Sequence, residues 1–348
     1  MATPVIRLAK WFNPALAVAC LAIASVAFAI PATTNGTEFN LFGAVAVAAA
    51  AYAILSFVVT LIAQGPRIAK DRLMTTLVAA AFAVAVVPLI SLISTVVTLG
   101  LARFDGTFFT SSMRNVVGEG GGALHAIIGT LEITSLAAII SIPIGMLTAI
   151  YLVEYGRGRL ARAVTALVDV MTGIPSIVAG LFAFSLFALF FGPGVRMGFA
   201  GAVALSVLMV PVVVRSAEEM LRIVPMELRE ASFALGVPKW LTVLRVVLPT
   251  ASSGLITGVM IAIARVIGET APLLIVAGFT QSMNYNPFDE RMMTLPVFVY
   301  FSYASQGADT QAYIDRAWAG ALTLIVIVMA LNLGARILSR ITQPHTTR

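Results

Sequence analysis

Arg265 and Glu269 stand four residues apart inside a long apolar stretch. A charge at the centre of a bilayer costs about 2.5–3.5 kcal/mol, so residues kept there face a bundle interior or an aqueous path. On a helix that spacing is one turn, and both side chains can face the same way. A guanidinium offers a planar fork of donors that suits an oxyanion and stays charged when desolvated. Glu269 can neutralise Arg265 when a path is empty, and it can accept a hydrogen bond from a protonated oxyanion such as phosphate. Sulfate has no proton to give and would leave that acceptor unsatisfied, at about 1–3 kcal/mol. The alternative is an intrahelical ion pair that satisfies itself. Asp169 and Glu132 also lie in apolar stretches, where each can line a path or pair with a cation.

The elements that hold these residues follow from composition. The chain has 348 residues, 59% hydrophobic and 11% charged, with mean hydropathy +0.98, whereas a soluble chain carries roughly 25% charge. A bilayer core of about 30 Å is crossed by about 20 apolar residues in a helix. Stretches of that kind fall at 14–32, 41–63, 74–101, 126–153, 164–191, 198–217, 250–280 and 318–338, which predicts an all-α polytopic membrane protein of about eight spans. Arg265 and Glu269 belong to the seventh, Asp169 to the fifth, and Glu132 to the fourth. Gly173, Pro175 and Gly180 interrupt the fifth.

Orientation follows from the cations, which are retained in cytoplasmic loops. Arg7, Lys10, Arg67, Lys70, Arg72, Arg157, Arg159, Arg162, Arg215, Arg222, Arg229, Lys239, Arg245, Arg336, Arg340 and Arg348 fall in one alternating set of segments. They outnumber Arg103, Arg114, Arg196, Arg291 and Arg316 in the other, so both termini are expected in the cytoplasm. The first span could instead be a cleaved signal peptide, because Ala27, Phe28 and Ala29 close it in an A-x-A pattern. The two longer external segments, about 102–125 and 281–317, read as polar loops. The run Gly118 to Gly122 lacks the Lys-Ser/Thr of a phosphate-cradling loop and reads as a flexible connection. Cys20 is a lone cysteine, and His125 and His345 are too few for a metal cluster. The net charge of +6 is explained by the cytoplasmic loops and gives no reason to expect nucleic acid. No cofactor or catalytic set is expected.

Between the sixth and seventh spans lies a polar segment from Arg215 to Thr250. Pro225 suits a helix start, Glu227 and Glu230 favour its positive N-terminus, and Gly236 supplies a stop. These signals predict a short helix, Met226 to Leu235, with Leu228, Ala231, Phe233, Ala234 and Leu235 available for contact. By itself that is an interfacial helix capping the bundle. Within it, Glu230, Ala231 and Ser232 are followed after three residues by Gly236, and after nine more by Val246, Val247, Leu248 and Pro249.

This spacing resembles the EAA loop of ABC importer permeases, E-A-A-x3-G-x9-I-x-L-P, with Ser232 in place of the second alanine. The segments GTLEITSLAAIISIPIGMLTAIYLVEY (129–155), TGIPSIVAGLFAF (172–184), LMVPVVVRSAEEMLRIVPMELREA (208–231) and ARVIGETAPLLIVAG (264–278) are similar to the phosphate permease family, PstA, over about 126–341. The resemblance implies a type I ABC importer permease core at 126–341, with a coupling loop at 225–249 that seats in a partner ATPase through Glu230, Ala231, Ser232, Gly236, Leu248 and Pro249. It further implies a homologous second permease (PstC-like), an ATPase dimer (PstB-like) and an external phosphate-binding protein (PstS-like) in the inner membrane. The family's single leading span matches 74–101, completed by the loop to 125. Residues 1–73 therefore form an extra helix pair with a cytoplasmic linker, and 342–348 a cytoplasmic tail. The small residues of that pair allow close packing against the core or a partner. Rival readings are a permease for sulfate or molybdate, and an ion-coupled secondary transporter using Asp169, Arg265 and Glu269 as a relay.

Overall fold

A computed structural model describes residues 11–35, 40–307 and 309–342, and every regular element among them is helical. The chain divides into two compact units, 1–94 and 95–348. Arg7, Lys10, His345, Arg348 and the tail beyond residue 342 lie outside the described residues.

In the first unit α1 (Phe12–Asn35) packs along α2 (Leu41–Gln64). Close approach is possible because Cys20, Ala24, Ala44 and Ala48 are small and buried. A Cβ on Gly43 would sit 2.7 Å from the Phe28 ring, so a larger residue at this position of the crossing would have to displace that ring. Asn40 caps α2 by accepting from the Gly43 N–H at 2.8 Å. Gly65, with φ +88°, turns the chain into α3 (Pro66–Gly100). The expected linker with Arg67, Lys70 and Arg72 is thus the first part of α3, and Gly65 alone separates the helices. Arg72 donates to Asn13 at 3.2 Å and to the buried Thr60 at 3.1 Å, which ties α1, α2 and α3 with one side chain. The unit boundary, between Ser94 and Thr95, falls inside α3.

The second unit is built around α5 (Leu124–Ile150) and α8 (Gly198–Ile223), which pack along most of their length. Gly145 lets Val213 approach so closely that a Cβ would stand 2.7 Å from it. Against this pair lies α11 (Leu248–Val266), on which α14 (Thr310–Thr342) packs in turn. The core runs through Ile133, Ala137, Leu205, Met209, Ala262 and Leu273.

The fifth span is not one helix. α6 (Gly158–Thr172) and α7 (Ser176–Phe191) meet at a 107° bend. Pro175 cannot donate and disfavours a helical Ile174, so the break falls at Gly173–Pro175. Among the described residues seven helices are long and apolar enough to cross a membrane, or eight if the bent pair counts as one span.

The segments expected as external loops also fold. α4 (Gly106–Thr110), capped by Asp105, and α13 (Leu295–Ala304) send Phe108, Leu295, Val297 and Phe298 into the main core. At ten residues α13 is too short to span, and for that reason it reads as loop in sequence. The glycine run is also held in place. Gly118, Gly120 and Gly121 adopt φ of +79°, +89° and +64°, and Arg316 donates to the Gly118 and Gly120 carbonyls at 2.7 and 3.0 Å. Arg103 donates to Gly121 at 2.8 Å. Arg316 is 1% exposed and stacks on Tyr313 at 4.4 Å. It belongs to α14 and not to a loop.

Candidate functional site

The motif-bearing loop begins where α8 ends, at Ile223, so Arg215 and Arg222 lie on that helix. Pro225 then opens α9 (Met226–Ala234), with Glu227 in its first turn. Gly236, at φ +75°, closes it, as its N–H reaches the Phe233 carbonyl at 2.9 Å and the Val237 N–H reaches Ser232 at 3.2 Å. α10 (Lys239–Thr242) starts after Pro238 and runs through a π-helical turn, Val243–Val247, directly into α11. The seventh span accordingly starts at Lys239 and not near residue 250. Pro249 has no N–H to give and would crowd the carbonyl four residues back. The wider turn accommodates it, with the Leu248 N–H reaching back to Val243.

The predicted docking residues divide into two groups. Glu230, Ala231 and Gly236 are on the outside of the loop, and Pro249 is exposed at the start of α11. Leu228, Phe233, Ala234 and Leu235 are also exposed, Leu235 at 83%. Trp240, 62% exposed, extends this apolar surface, and the sequence reading missed it. Ser232 turns inward instead, where its hydroxyl and that of Thr242 are hydrogen-bonded at 2.9 Å and tie α9 to α10. Leu248 packs inward against Ala149, Leu221 and Val247.

Beneath α9 lies a buried ion pair that the sequence reading did not single out. Arg229 (7% exposed) donates from Nε and Nη2 to Oε1 of Glu154 (9% exposed) at 3.1 and 2.9 Å. It also donates to the carbonyls of Leu221, at 2.9 Å, and of Val224. Glu154 sits on a second π-helical turn, Tyr151–Tyr155, at the end of α5. Lys239 donates to the Glu154 carbonyl and stands 5.0 Å from the Tyr155 ring centre.

The charges expected in the seventh span lie where that span stops. α11 ends at Val266, Ile267–Thr270 is not helical, and α12 (Ala271–Val276) follows. Arg265 is exposed on the last turn of α11, where a cation complements the helix C-terminus. Glu269 is half-buried in the break, off the helix that was to carry both. Neither has an ion-pair partner among the described residues, so the self-satisfied pair is not formed. α12 is pressed onto α7, where a Cβ on Gly180 would lie 2.7 Å from Pro272 Cα.

On the exposed face of α11, Arg265 is followed toward the loop by Ile261 and Thr257. Thr257, Ser253, Gly254 and Gly258 then line, with Ser216 of α8, a groove of about 330 Å³. Asp169 is not brought to Arg265. It pairs with Arg215, which also binds Glu218 at 2.8 Å, and Glu218 in turn pairs with Arg222. A cavity of about 360 Å³ lined by Arg162, Asp169, Glu218 and Arg222 opens beside this cluster. Glu132 keeps one buried carboxylate oxygen without a partner.

Residues 141–348 match the family described as binding-protein-dependent transport system inner membrane component. The chain is 46% identical over 269 residues to the phosphate transport system permease protein PstA 1 of Mycobacterium tuberculosis, a match covering 76% of this chain and 87% of that protein. It is 39% identical over 244 residues to PstA of Haemophilus influenzae, covering 70% and 84%. The fold is similar to a chain of a bacterial alginate ABC transporter crystallised with its alginate-bound periplasmic protein, with TM-score 0.54, 17% identity, and coverage of 80% and 99%. It is also similar to a chain of the inward-facing MetNI methionine ABC transporter, with TM-score 0.51, 20% identity, and coverage of 64% and 96%.

Proposed function

Because the chain belongs to the family of binding-protein-dependent inner-membrane transport components, we propose that it is the permease subunit of an ATP-driven importer that carries inorganic phosphate into the cell. The observation that carries this reading is the folded loop. Glu230, Ala231 and Gly236 stand outward beside an exposed apolar surface of Phe233, Leu235 and Trp240, on a helix fixed to the ends of α5, α8 and α10. A short helix with small and apolar residues outward fits a groove on another protein, and burying Leu235 alone would contribute about 1.5–3 kcal/mol. Its seat is a partner ATPase dimer, because hydrolysis belongs to that partner and not to this chain. A second, homologous permease completes the path, and an external binding protein delivers the anion. In this reading both termini are cytoplasmic, which the distribution of Lys and Arg supports.

Phosphate is supported by the names of relatives 46% and 39% identical to this chain, and by an Arg265 without an ion-pair partner among the described residues, followed by a half-buried Glu269 in the break after α11. Arg265 meets the anion through its fork of donors, and Glu269 accepts from the protonated phosphate oxygen. The groove lined by Ser216, Ser253 and Thr257 continues the path toward the loop. The test is ATP-dependent uptake of labelled phosphate in cells with and without the gene, with unlabelled sulfate and molybdate as competitors. Uptake lost on deletion and insensitive to sulfate is the expected result; unchanged phosphate uptake with loss of another oxyanion's uptake would overturn the substrate. Arg265→Gln removes one side of a charge-assisted contact worth about 1.5–3 kcal/mol and should remove most of the uptake while the complex still assembles. Unimpaired uptake would remove Arg265 from the path.

A further inference from the structure

We propose that the buried Glu154–Arg229 pair is the joint through which movement of α9 is delivered to α5. The inference rests on the importer reading above. α9 is joined through the chain only to α8 and α10, and Glu154 is separated from Arg229 by 75 residues of sequence. A stroke on α9 would otherwise reach α5 only through side-chain packing, which resists a push better than a pull.

The geometry at this point is that of a tie. Arg229 spends Nε and Nη2 on one oxygen of Glu154, and the same guanidinium takes up the Leu221 and Val224 carbonyls at the unsatisfied end of α8. A rigid guanidinium bound at three points fixes the angle between α9, α8 and α5 as well as their separation. Lys239 adds a fourth point by donating to the Glu154 backbone carbonyl, so α10 is bound to the same turn. Both π-helical turns of the chain's described residues, Tyr151–Tyr155 and Val243–Val247, flank this joint, and such turns are frequent at functional sites.

What α5 would do with the movement follows from its other end. It is 27 residues long, a rod of about 40 Å. Near its start the Thr130 hydroxyl accepts from the Leu295 N–H at the head of α13, at 2.7 Å, and Gly129 lies directly against the backbone of Met293. Five residues before its end Gly145 packs closely against Val213 of α8. A pull at Glu154 is therefore transmitted along α5 to the α13 segment at the far end of the bundle. Two packed elements with a defined hydrogen-bonded link are the physical requirement for such coupling.

The experiment uses the whole importer in proteoliposomes, with phosphate uptake and ATP hydrolysis read together per assembled complex. Glu154→Ala is expected to leave hydrolysis within about twofold of wild type while phosphate moved per ATP falls about tenfold, inside the usual range of coupling between two sites. Glu154→Gln keeps the single oxygen on which both guanidinium contacts converge and should retain most of the coupling. If Glu154→Ala complexes fail to assemble, Arg229→Lys supplies the same ratio, because an ammonium cannot bridge Glu154 and both carbonyls at once. Uptake and hydrolysis falling in parallel, or a ratio equal to wild type in Glu154→Ala and Arg229→Lys, would overturn the joint. A wild-type complex without ATP-driven phosphate uptake would overturn the importer reading itself.

Discussion

Replacing Gly180 by alanine tests whether the position of the break after α11 matters to transport. An ideal Cβ there would lie 2.7 Å from Pro272 Cα, 3.1 Å from Pro272 Cβ and 3.3 Å from the Pro272 carbonyl oxygen. Carbon atoms rest at about 3.5–4.0 Å, so α7 and the start of α12 must part by about 0.8 Å to reach the lower limit. Overpacking of this kind costs about 1–3 kcal/mol, and loss of the glycine's freedom in the unfolded chain offsets about 0.4–1 kcal/mol. The net is a mild destabilisation that leaves the protein folded. Pro272 is three residues from Glu269 and carries it along, and a displacement approaching 1 Å at a reacting or binding group can cost about 100-fold. Uptake of labelled phosphate by the Gly180→Ala importer should therefore fall about 10- to 100-fold, with a melting temperature a few degrees lower. Gly334→Ala is the control, since this exposed α14 position has nothing within 4 Å of an added Cβ. Equal uptake and equal melting temperature for the two variants would refute the reasoning.

Two further substitutions probe the surfaces at either end of the bundle. Leu235→Asp, at a side chain already 83% exposed, should leave the chain's own stability within about 0.5 kcal/mol yet abolish co-purification of the ATPase; retained co-purification would remove Leu235 from the docking surface. Arg316→Leu deprives the Gly118 and Gly120 carbonyls of their donor, at about 1–3 kcal/mol for the groups left unsatisfied. Cleavage of the 118–122 run by added protease should accelerate, and an unchanged rate would mean the glycines hold their shape unaided.

The long helices were legible because a bilayer demands about 20 apolar residues in a row, and this demand places α1, α2, α5, α8 and α14 with errors only at their ends. It fails where an apolar segment is shorter than a span. The ten residues of α13 therefore look like loop, although they lie in the core. The breaks had signals: Gly173 and Pro175 in the fifth span, and Gly268 with Pro272 in the seventh. The first pair marked an interruption but carried no angle. The second lies inside an apolar run long enough to span, which hides the break and puts Glu269 on the helix of Arg265 when read from sequence. Partners of charged residues were the least legible. Asp169 finds Arg215 across 46 residues and Glu154 finds Arg229 across 75, and no periodicity in a single chain links positions so far apart. Ser232 shows the same limit on a smaller scale, since its direction depends on Thr242 ten residues later.

The π-helical turn at Val243–Val247 sets the compass bearing of everything after it on the same rod. It takes in one residue more than an α turn, and each residue of an α-helix turns the chain by about 100°. The azimuth of Arg265 is thus decided some five turns away, beside Pro249. Were that turn a regular α turn, Thr257, Ile261 and Arg265 would be rotated by about 100° relative to the residues of α9, so a proline whose ring merely needs room at the base of the helix also determines which wall of the bundle presents the guanidinium.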